Sequence, residues 1–393
     1  MLYLKILKLF FAYTVKCKER TKFMNKKCIF NILVFICIAL FCACILFFSE
    51  ESASAVRQAL KLCATSVLPS LFPFYIIAKL ITNLHFSDYL SMLCRRLMPK
   101  LFSVDQSAAS ALILGFIGGY PIGAVTCASL LAAKKLTAQE AERTLAFCNN
   151  CGPAFIIGVV GGGIFSSVRT GLTLFLIHIM AAITTGFVFR LVYPLSKHTL
   201  CFKTKEKNDY PVFSQAFTDA VSSSVKSCLA ITGYIVLFSV ITKMLRVTHI
   251  LPTLSRIFYA FFGTKPYISE ALISGIFEMT TGIYTFNSEC DRNVAFVISA
   301  LLLGWGGLSV HAQTLSVLSD YNLNLKPYFI GKLSHGLISA FYAYSLLKLF
   351  RTEEICVFAP QEPLANGVAA SVISIFLLTF ILIFCKKGWK KAE

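Results

Sequence analysis

The chain has 393 residues, of which 56% are hydrophobic and 14% are charged, and it contains 36 phenylalanines. This composition excludes a soluble globular enzyme, because several uncharged stretches reach the about 20 apolar residues that cross a bilayer. The net charge of +18 comes from the termini and from short loops between apolar runs rather than from one helix face. It therefore indicates membrane topology and argues against nucleic acid as a partner.

The chain opens on a basic segment, residues 1–27, which is followed by an uninterrupted apolar run over residues 28–48. The small residues after this run resemble a signal-peptide cleavage site, so a cleaved signal peptide is the alternative to an anchoring helix. The run is longer than the about 7 to 15 apolar residues of a signal peptide. We therefore predict that residues 28–48 form a retained first transmembrane helix.

Nine further apolar runs follow in chain order, and four of the middle ones are interrupted by glycine, proline or polar residues. The interrupted runs are LILGFIGGYPIG (112–123), CNNCGPAFIIGVVGGG (148–163), SGIFEMTTG (274–282) and LGWGGLSVHAQ (303–313). Unwound backbone at membrane depth requires protein or a water-filled cavity to satisfy its polar groups. The pattern predicts an all-α polytopic membrane protein with eight to ten hydrophobic segments and broken or re-entrant helices.

The interruptions occur in two sets with the same order. ALILG at Ala111 and ALISG at Ala271 are 160 residues apart, and the breaks at Gly152 and Gly306 are 154 residues apart. We predict an internal duplication with repeat 1 over residues 66–193 and repeat 2 over residues 224–350.

The basic segments predict the orientation of the repeats. Lys and Arg favour the cytoplasmic side, which places residues 1–27, the linker 194–223 and the tail 386–393 inside. The acidic loop 351–366 then lies outside, followed by a last transmembrane helix over residues 367–385. These positions require an inverted repeat, the common plan of secondary transporters. A model in which all ten segments span remains the alternative, at the cost of a basic linker outside.

Polar residues at the first-half break are candidates for solute binding. Asn149 and Asn150 precede Gly152 and Pro153, and proline favours the first position of a helix. The N–H groups of a helix start, together with two side-chain amides, can hold a carboxylate, a phosphate or a nucleobase edge. Alternatively, the amides only cap the broken backbone.

The second-half breaks supply further candidates. Glu278 lies among apolar residues, where a carboxylate is costly and is seldom found without a partner or a function. Burial favours its neutral form, which suits a proton-coupling group, and Thr281 can complete the same site. Ser309, His311 and Gln313 follow the Gly306 break as the asparagines accompany the first. The alternatives are a helix-end carboxylate and an ordinary hydrogen-bonded histidine.

Other motifs carry weaker expectations. Thr137 and Glu140 form a capping-box pattern, which predicts a surface helix, and Lys332 and His335 are expected at the cytoplasmic end of a helix. Cys148 and Cys151 are spaced as in redox or metal motifs but lack a second pair. With no P-loop or hydrolase motif, we expect no enzyme activity, no metal and no cofactor.

Several strings resemble the sporulation integral membrane protein family of the YlbJ type, whose members carry the nucleoside-recognition or Gate domain. These strings are LPSLFPF (68–74), SALILGFIGGYPIGA (110–124), residues 136–165, LGWGGLSVHAQ (303–313) and KLSHG (332–336). One departure is Cys151, where a small hydroxyl residue is expected. The resemblance implies the inner membrane of a spore-forming bacterium and a role in forming the spore cortex or envelope.

The sequence therefore predicts a transporter-like membrane protein that binds or translocates a small polar solute, which the Gate kinship suggests is nucleoside-like. The alternative is a non-transporting scaffold for a spore-envelope assembly complex. The expected partners are membrane lipid, the solute, and other sporulation membrane proteins or a second copy of the chain.

Overall fold

The computed structural model describes residues 26–84, 96–194, 212–286 and 290–349, together with residues 86, 89, 92 and 94. The chain divides into two units, Met1–Ser54 and Ala55–Glu393. The predictions for residues 1–25, for most of the basic linker, for the acidic loop 351–366, for the last helix 367–385 and for the tail 386–393 lie outside the described residues.

The described residues are helical throughout their regular structure, which confirms the predicted all-α fold. The helices are α1 Lys26–Phe47, α2 Ser49–Leu62, α3 Leu68–Asn83, α4 Ala108–Gly118, α5 Ile122–Ala132, α6 Ala138–Cys148, α7 Ala154–Ile164, α8 Val168–Val192, α9 Phe213–Val247, α10 Ile250–Phe262, α11 Pro266–Phe277, α12 Met279–Ile283, α13 Arg292–Trp305, α14 Gly307–Leu318 and α15 Lys326–Leu349. Of these, α7 is wound as a π-helix, and π turns also occupy Cys63–Val67 and Met98–Phe102.

Five helical stretches in the described part of the chain are long and apolar enough to cross a membrane. They are Ile29–Phe47, Ser49–Asn83, Val168–Val192, Phe213–Val247 and Arg292–Leu318. The first of them agrees with the predicted transmembrane helix at 28–48. The shorter apolar helices α4, α5 and α7 cover the two interrupted runs of the first half, whereas the run 303–313 lies within the long stretch Arg292–Leu318. The chain is therefore a multi-pass membrane protein.

Each half begins with a long helix that starts earlier than predicted. The stretches Ser49–Asn83 and Phe213–Val247 each contain 35 residues, whereas the sequence placed the repeat starts at residues 66 and 224. The Nδ2 of Asn83 donates to the carbonyl of Ala216 at 3.1 Å, so the end of one helix meets the start of the other. Their first turns are rich in polar residues, and hydropathy alone therefore does not detect them.

Apart from α10, the helices that follow have the same order in both halves among the described residues. A helix pair with a break comes first, α4 and α5 or α11 and α12, and a second broken pair follows, α6 and α7 or α13 and α14. A long helix then ends each half: α8 has 25 residues and α15 has 24. The duplication and the inverted orientation of the halves remain predictions.

Helix α6 has the predicted cap but not the predicted surroundings. The Thr137 hydroxyl accepts from the Glu140 N–H, and the Glu140 carboxylate accepts from the Thr137 N–H, as a capping box requires. The expectation of a surface helix is wrong, because Glu140 and Arg143 are buried. Arg143 Nη1 donates to the carbonyls of Phe102 and Ser103 at 3.0 and 3.1 Å. The Arg143 side chain thus forms hydrogen bonds with buried backbone carbonyls instead of facing water.

The sequence did not predict α10 as a hydrophobic segment. Leu251 on this helix is buried, while Ile257 and Phe261 are exposed. Arg256 interrupts the apolar run, and this charge conceals the helix from a search for uninterrupted hydrophobicity.

Helices α13 and α15 approach closely at two glycines. A Cβ added at Gly304 would lie 2.7 Å from the Cα of Gly336. We expect Gly304→Ala to destabilise the protein by about 1–3 kcal/mol, because the helices would have to separate. The matched change is Gly233→Ala in α9, where an added Cβ meets nothing within 4 Å; it should be neutral or stabilising, since alanine favours helix. Melting temperatures in detergent test both, and equal shifts would contradict the close contact.

Candidate functional site

The four helix breaks meet in pairs at glycines. A Cβ added at Gly119 would lie 2.9 Å from the Gly152 nitrogen, so the breaks between α4 and α5 and between α6 and α7 are in contact. In the second half, a Cβ at Gly307 would lie 2.9 Å from the Met279 nitrogen. Gly119 and Gly307 have φ angles of +78° and +80°, which glycine adopts without strain. Only glycine fits such close backbone contacts.

Tyr120 joins the two halves. Its hydroxyl donates to the carbonyl of Leu303 on α13 at 2.9 Å. A Cβ at Gly306 would lie 3.3 Å from the same hydroxyl, and the Tyr75 hydroxyl donates to the Tyr120 carbonyl. Through this tyrosine, the first-half breaks touch a second-half break.

A small cavity of about 40 Å³ lies where the breaks converge. Four of the predicted site residues line it: Gly152, Glu278, Ser309 and Gln313. Tyr120 and Cys151 contribute as well, and most of the remaining wall is apolar. A cavity of this size holds water but not an organic solute, for which pockets of about 300 Å³ or more are typical. Solute binding would therefore require the breaks to move apart.

Glu278 caps the short helix α12. Its carboxylate accepts from the Thr280 and Thr281 nitrogens at 3.1 and 2.6 Å and from the Thr281 hydroxyl at 2.9 Å. Only 2% of the residue is exposed, and no cationic side chain among the described residues forms a salt bridge with it. The N–H groups at a helix start favour an anionic carboxylate, whereas burial opposes it. Glu278 therefore acts as a helix cap in the structure, and its role in solute binding stays a prediction.

A second polar network lies beside the cavity. The Asn149 Nδ2 donates to the Thr314 hydroxyl at 2.9 Å, and the Tyr328 hydroxyl donates to the same oxygen at 3.1 Å. His311 Nδ1 lies 2.8 Å from the Tyr328 hydroxyl. Because the tyrosine proton is directed at Thr314, Nδ1 carries the histidine proton, and Nε2 is left as an acceptor.

The candidate residues lie at two places in the structure, the small cavity and the polar network beside it. Gln313 and Ser309 line the cavity and are joined to each other at 3.4 Å. His311 belongs to the second network. Asn150 Nδ2 folds back to the Phe147 carbonyl at 2.9 Å. The side-chain oxygens of Asn149 and Asn150 and the Nε2 of His311 are buried without a hydrogen-bond partner.

The remaining candidates mark helix starts. Pro153 immediately precedes α7, in agreement with the predicted helix start. Thr281 donates to Glu278 and also lines a larger cavity of about 640 Å³. The larger cavity is bordered by α2, α9, α11 and α12 and by the basic residues Lys61, Lys243 and Arg246. The turn that contains Glu278 and Thr281 therefore borders both cavities.

Lys332 and His335 were placed wrongly by the sequence. They were expected at the cytoplasmic end of a helix, but both are fully buried within α15. Lys332 Nζ donates to the Tyr120 hydroxyl at 2.8 Å and to the Asn149 carbonyl at 2.9 Å, and it lies 3.4 Å from His335 Nδ1. This lysine therefore connects α15 to both first-half breaks.

We expect Tyr120→Phe to lower the stability of the protein by about 1–3 kcal/mol, because the change leaves one proton of a buried ammonium and one carbonyl unpaired. The matched change is Tyr259→Phe on α10, where the side chain is about half exposed at 53%; it should have little effect. Melting temperatures of the purified variants measure the difference. Equal melting temperatures would show that the Tyr120 hydroxyl does not hold the halves together.

The redox and metal chemistries suggested by the spacing of Cys148 and Cys151 find no support among the described residues. Cys148 and Cys151 are free and buried, and no group of three or more potential metal ligands occurs among the described residues. The expectations of no metal, no cofactor and no enzyme activity remain predictions.

The fold and the convergent breaks define a multi-pass α-helical membrane protein with a buried polar site. The chain is 29% identical over 320 residues to the sporulation integral membrane protein YlbJ of Bacillus subtilis strain 168, covering 76% of this chain and 78% of that protein. This similarity confirms the predicted resemblance to the YlbJ type. No family model matches the chain, and no solved structure matches it. Kinship with the nucleoside-recognition or Gate domain remains a prediction.

Proposed function

We propose that the protein binds a small polar solute at the convergent helix breaks and moves it across the inner membrane of a spore-forming bacterium during sporulation. We propose that this transport contributes to the formation of the spore cortex or envelope. The role is one of binding and translocation rather than catalysis.

The observation that carries this proposal is the meeting of the breaks around Glu278, Ser309 and Gln313. Broken helices expose unpaired N–H and C=O groups, and in transporters such ends bind the substrate and the coupling ions. Here the ends are buried, and the Asn149 and Asn150 side chains beside them contain oxygens without partners. A scaffold has no need for such a cluster, because buried polar groups without partners are costly.

Two further observations support the finer parts of the proposal. The name of the similar protein refers to sporulation and to an integral membrane position, which supports the proposed stage and location. Side-chain amides and an unprotonated histidine nitrogen can pair with the edge of a nucleobase. This chemistry supports a nucleoside-like solute as one candidate.

The test compares the metabolite content of spores formed with and without the protein. A transporter should leave one or a few small polar metabolites depleted from the spore or accumulated outside it. The affected metabolite should then enter liposomes that contain the purified protein, and empty liposomes should not take it up. If spores without the protein fail to mature but no metabolite changes, the scaffold becomes the better account.

A further inference from the structure

We propose that Lys332 is the residue whose protonation controls opening of the site during transport, with His335 as its proton-exchange partner. This inference rests on the proposed function and names its coupling ion as the proton. Neither residue was assigned this role from the sequence.

The first step is the absence of a counter-charge. Lys332 is fully buried, and no carboxylate among the described residues forms a salt bridge with it. A lysine inside a membrane protein is costly and usually marks a functional position. The arrangement therefore differs from a structural ion pair.

The second step is where the amine lies. Asn149, whose carbonyl accepts from Nζ, is the C-cap residue that directly follows α6. The Tyr120 hydroxyl accepts from Nζ and donates to Leu303 near the end of α13. The carbonyl ends of helices favour cations, and in transporters such ends of broken helices coordinate Na⁺ or a proton. The Lys332 ammonium occupies the position that a bound cation would take.

The third step is the hydrogen-bond pattern around the amine. His335 Nε2 lies 3.0 Å from the carbonyl of His178 and donates to it, so Nδ1 is free to accept from Lys332. The three protons of the ammonium then meet three acceptors. When one proton passes from Nζ to Nδ1, the amine keeps two donors and gains a lone pair that accepts from the new Nδ1–H. Lysine becomes neutral, histidine becomes positive, and every partner stays paired.

Few other titratable groups face this pair. Tyr120, Cys148 and Cys151 face Lys332 from the first-half breaks, and His311 faces it from α14. His178 on α8 lies against His335, with ring centroids 4.4 Å apart and ring planes tilted by 36°. None of these groups is a carboxylate, so a proton on the pair adds a positive charge that the helix ends alone stabilise.

The experiment measures opening of the site by thiol labelling. A Ser309→Cys reporter is introduced into protein whose native cysteines are replaced, because Ser309 is 1% exposed and lines the small cavity. Labelling therefore requires the breaks to separate. The rate is divided by that of Ser129→Cys, an exposed position on α5, which corrects for the effect of pH on the thiol itself. Purified protein in liposomes is labelled at a series of pH values on both sides of neutrality. The series is run once in a Na⁺ salt and once in the salt of a large organic cation.

We expect the corrected rate to change several-fold with pH and to be indifferent to Na⁺. Lys332→Arg keeps the positive charge and cannot release a proton. Its labelling rate at every pH should therefore equal the rate that the wild-type protein reaches at low pH. Lys332→Met has no charge at this position, and its labelling rate at every pH should equal the rate that the wild-type protein reaches at high pH. Lys326→Met, an exposed lysine at the start of the same helix, should retain the full pH dependence.

Three results would overturn the inference: a wild-type rate independent of pH, a pH dependence that survives in both Lys332 variants, or a rate controlled by Na⁺. Impaired folding would change the labelling rate of both variants in the same direction. The expected result differs from this, because one variant should have the low-pH rate and the other the high-pH rate of the wild-type protein. The metabolite comparison tests transport separately. If opening of the site depends on protonation of Lys332 while no metabolite changes, the proposed transport is refuted and the proton site stands.

Discussion

Glu278→Gln is expected to abolish the formation of heat-resistant spores in a strain that carries only the variant. The carboxyl group lines the small cavity, and its turn borders the larger one through Thr281. Glutamine keeps the size of the side chain but cannot take up or release a proton. Spore yield after heating measures the effect, and protein abundance in the membrane should stay near normal.

The cap made by Glu278 requires a matched control, because glutamine also loses one acceptor oxygen toward α12. Removing a cap costs about 1 kcal/mol. Asp291 is the suitable comparison, since its carboxylate caps α13 by accepting from the Asn293 and Val294 nitrogens and the residue is exposed. Asp291→Asn should lower stability slightly and leave spore yield intact. Wild-type spore yield from Glu278→Gln would eliminate proton transfer at this position and favour the scaffold.

The positions of the helix breaks could be predicted from sequence because they depend on local chemistry. Gly118, Gly119 and Pro121 interrupt one apolar run, and Gly152 and Pro153 interrupt another. These residues cannot sustain regular helix as others do. Breaks of this kind can be recognised from the sequence alone, and the structure has each of them at the position of these glycines and prolines.

The surroundings of charged side chains could not be predicted in this way. Arg143 satisfies carbonyls at Phe102 and Ser103, which are about 40 residues away in the chain. Lys332 donates to a hydroxyl 212 residues away and a carbonyl 183 residues away. Hydropathy assigns such residues to the surface, because it includes no distant partners.

A signal for the buried pair on α15 was nevertheless present. His178 and His335 are 157 residues apart, a spacing between the values of 160 and 154 that align the other parts of the two halves. A duplication thus places these two histidines at equivalent positions of the long helices that end each half. Their rings are in contact in the structure, with centroids 4.4 Å apart. A residue-by-residue comparison of the two halves would have predicted that His335 lies inside the protein beside His178 and not at the end of a helix.

Gly152→Val is the second change from which we expect loss of function. A Cβ at Gly152 would lie 3.2 Å from the Cα of Gly119, and the two further methyl groups of valine would need space that the neighbouring backbone occupies. The first-half breaks would separate, which displaces Tyr120 and the Asn149 carbonyl from Lys332. Spore yield should fall to the level of a strain without the protein.

The matched change is Gly158→Val in α7, because a Cβ there meets nothing within 4 Å. It adds the same side chain to the helix that follows the break, and it should leave spore yield near normal. Membrane abundance and melting temperature of both variants separate loss of the site from loss of the fold. If the two valine variants were equally active, contact between the breaks would not be required for function. A functional site would then have to lie elsewhere, and the larger cavity beside Thr281 would be the next place to test.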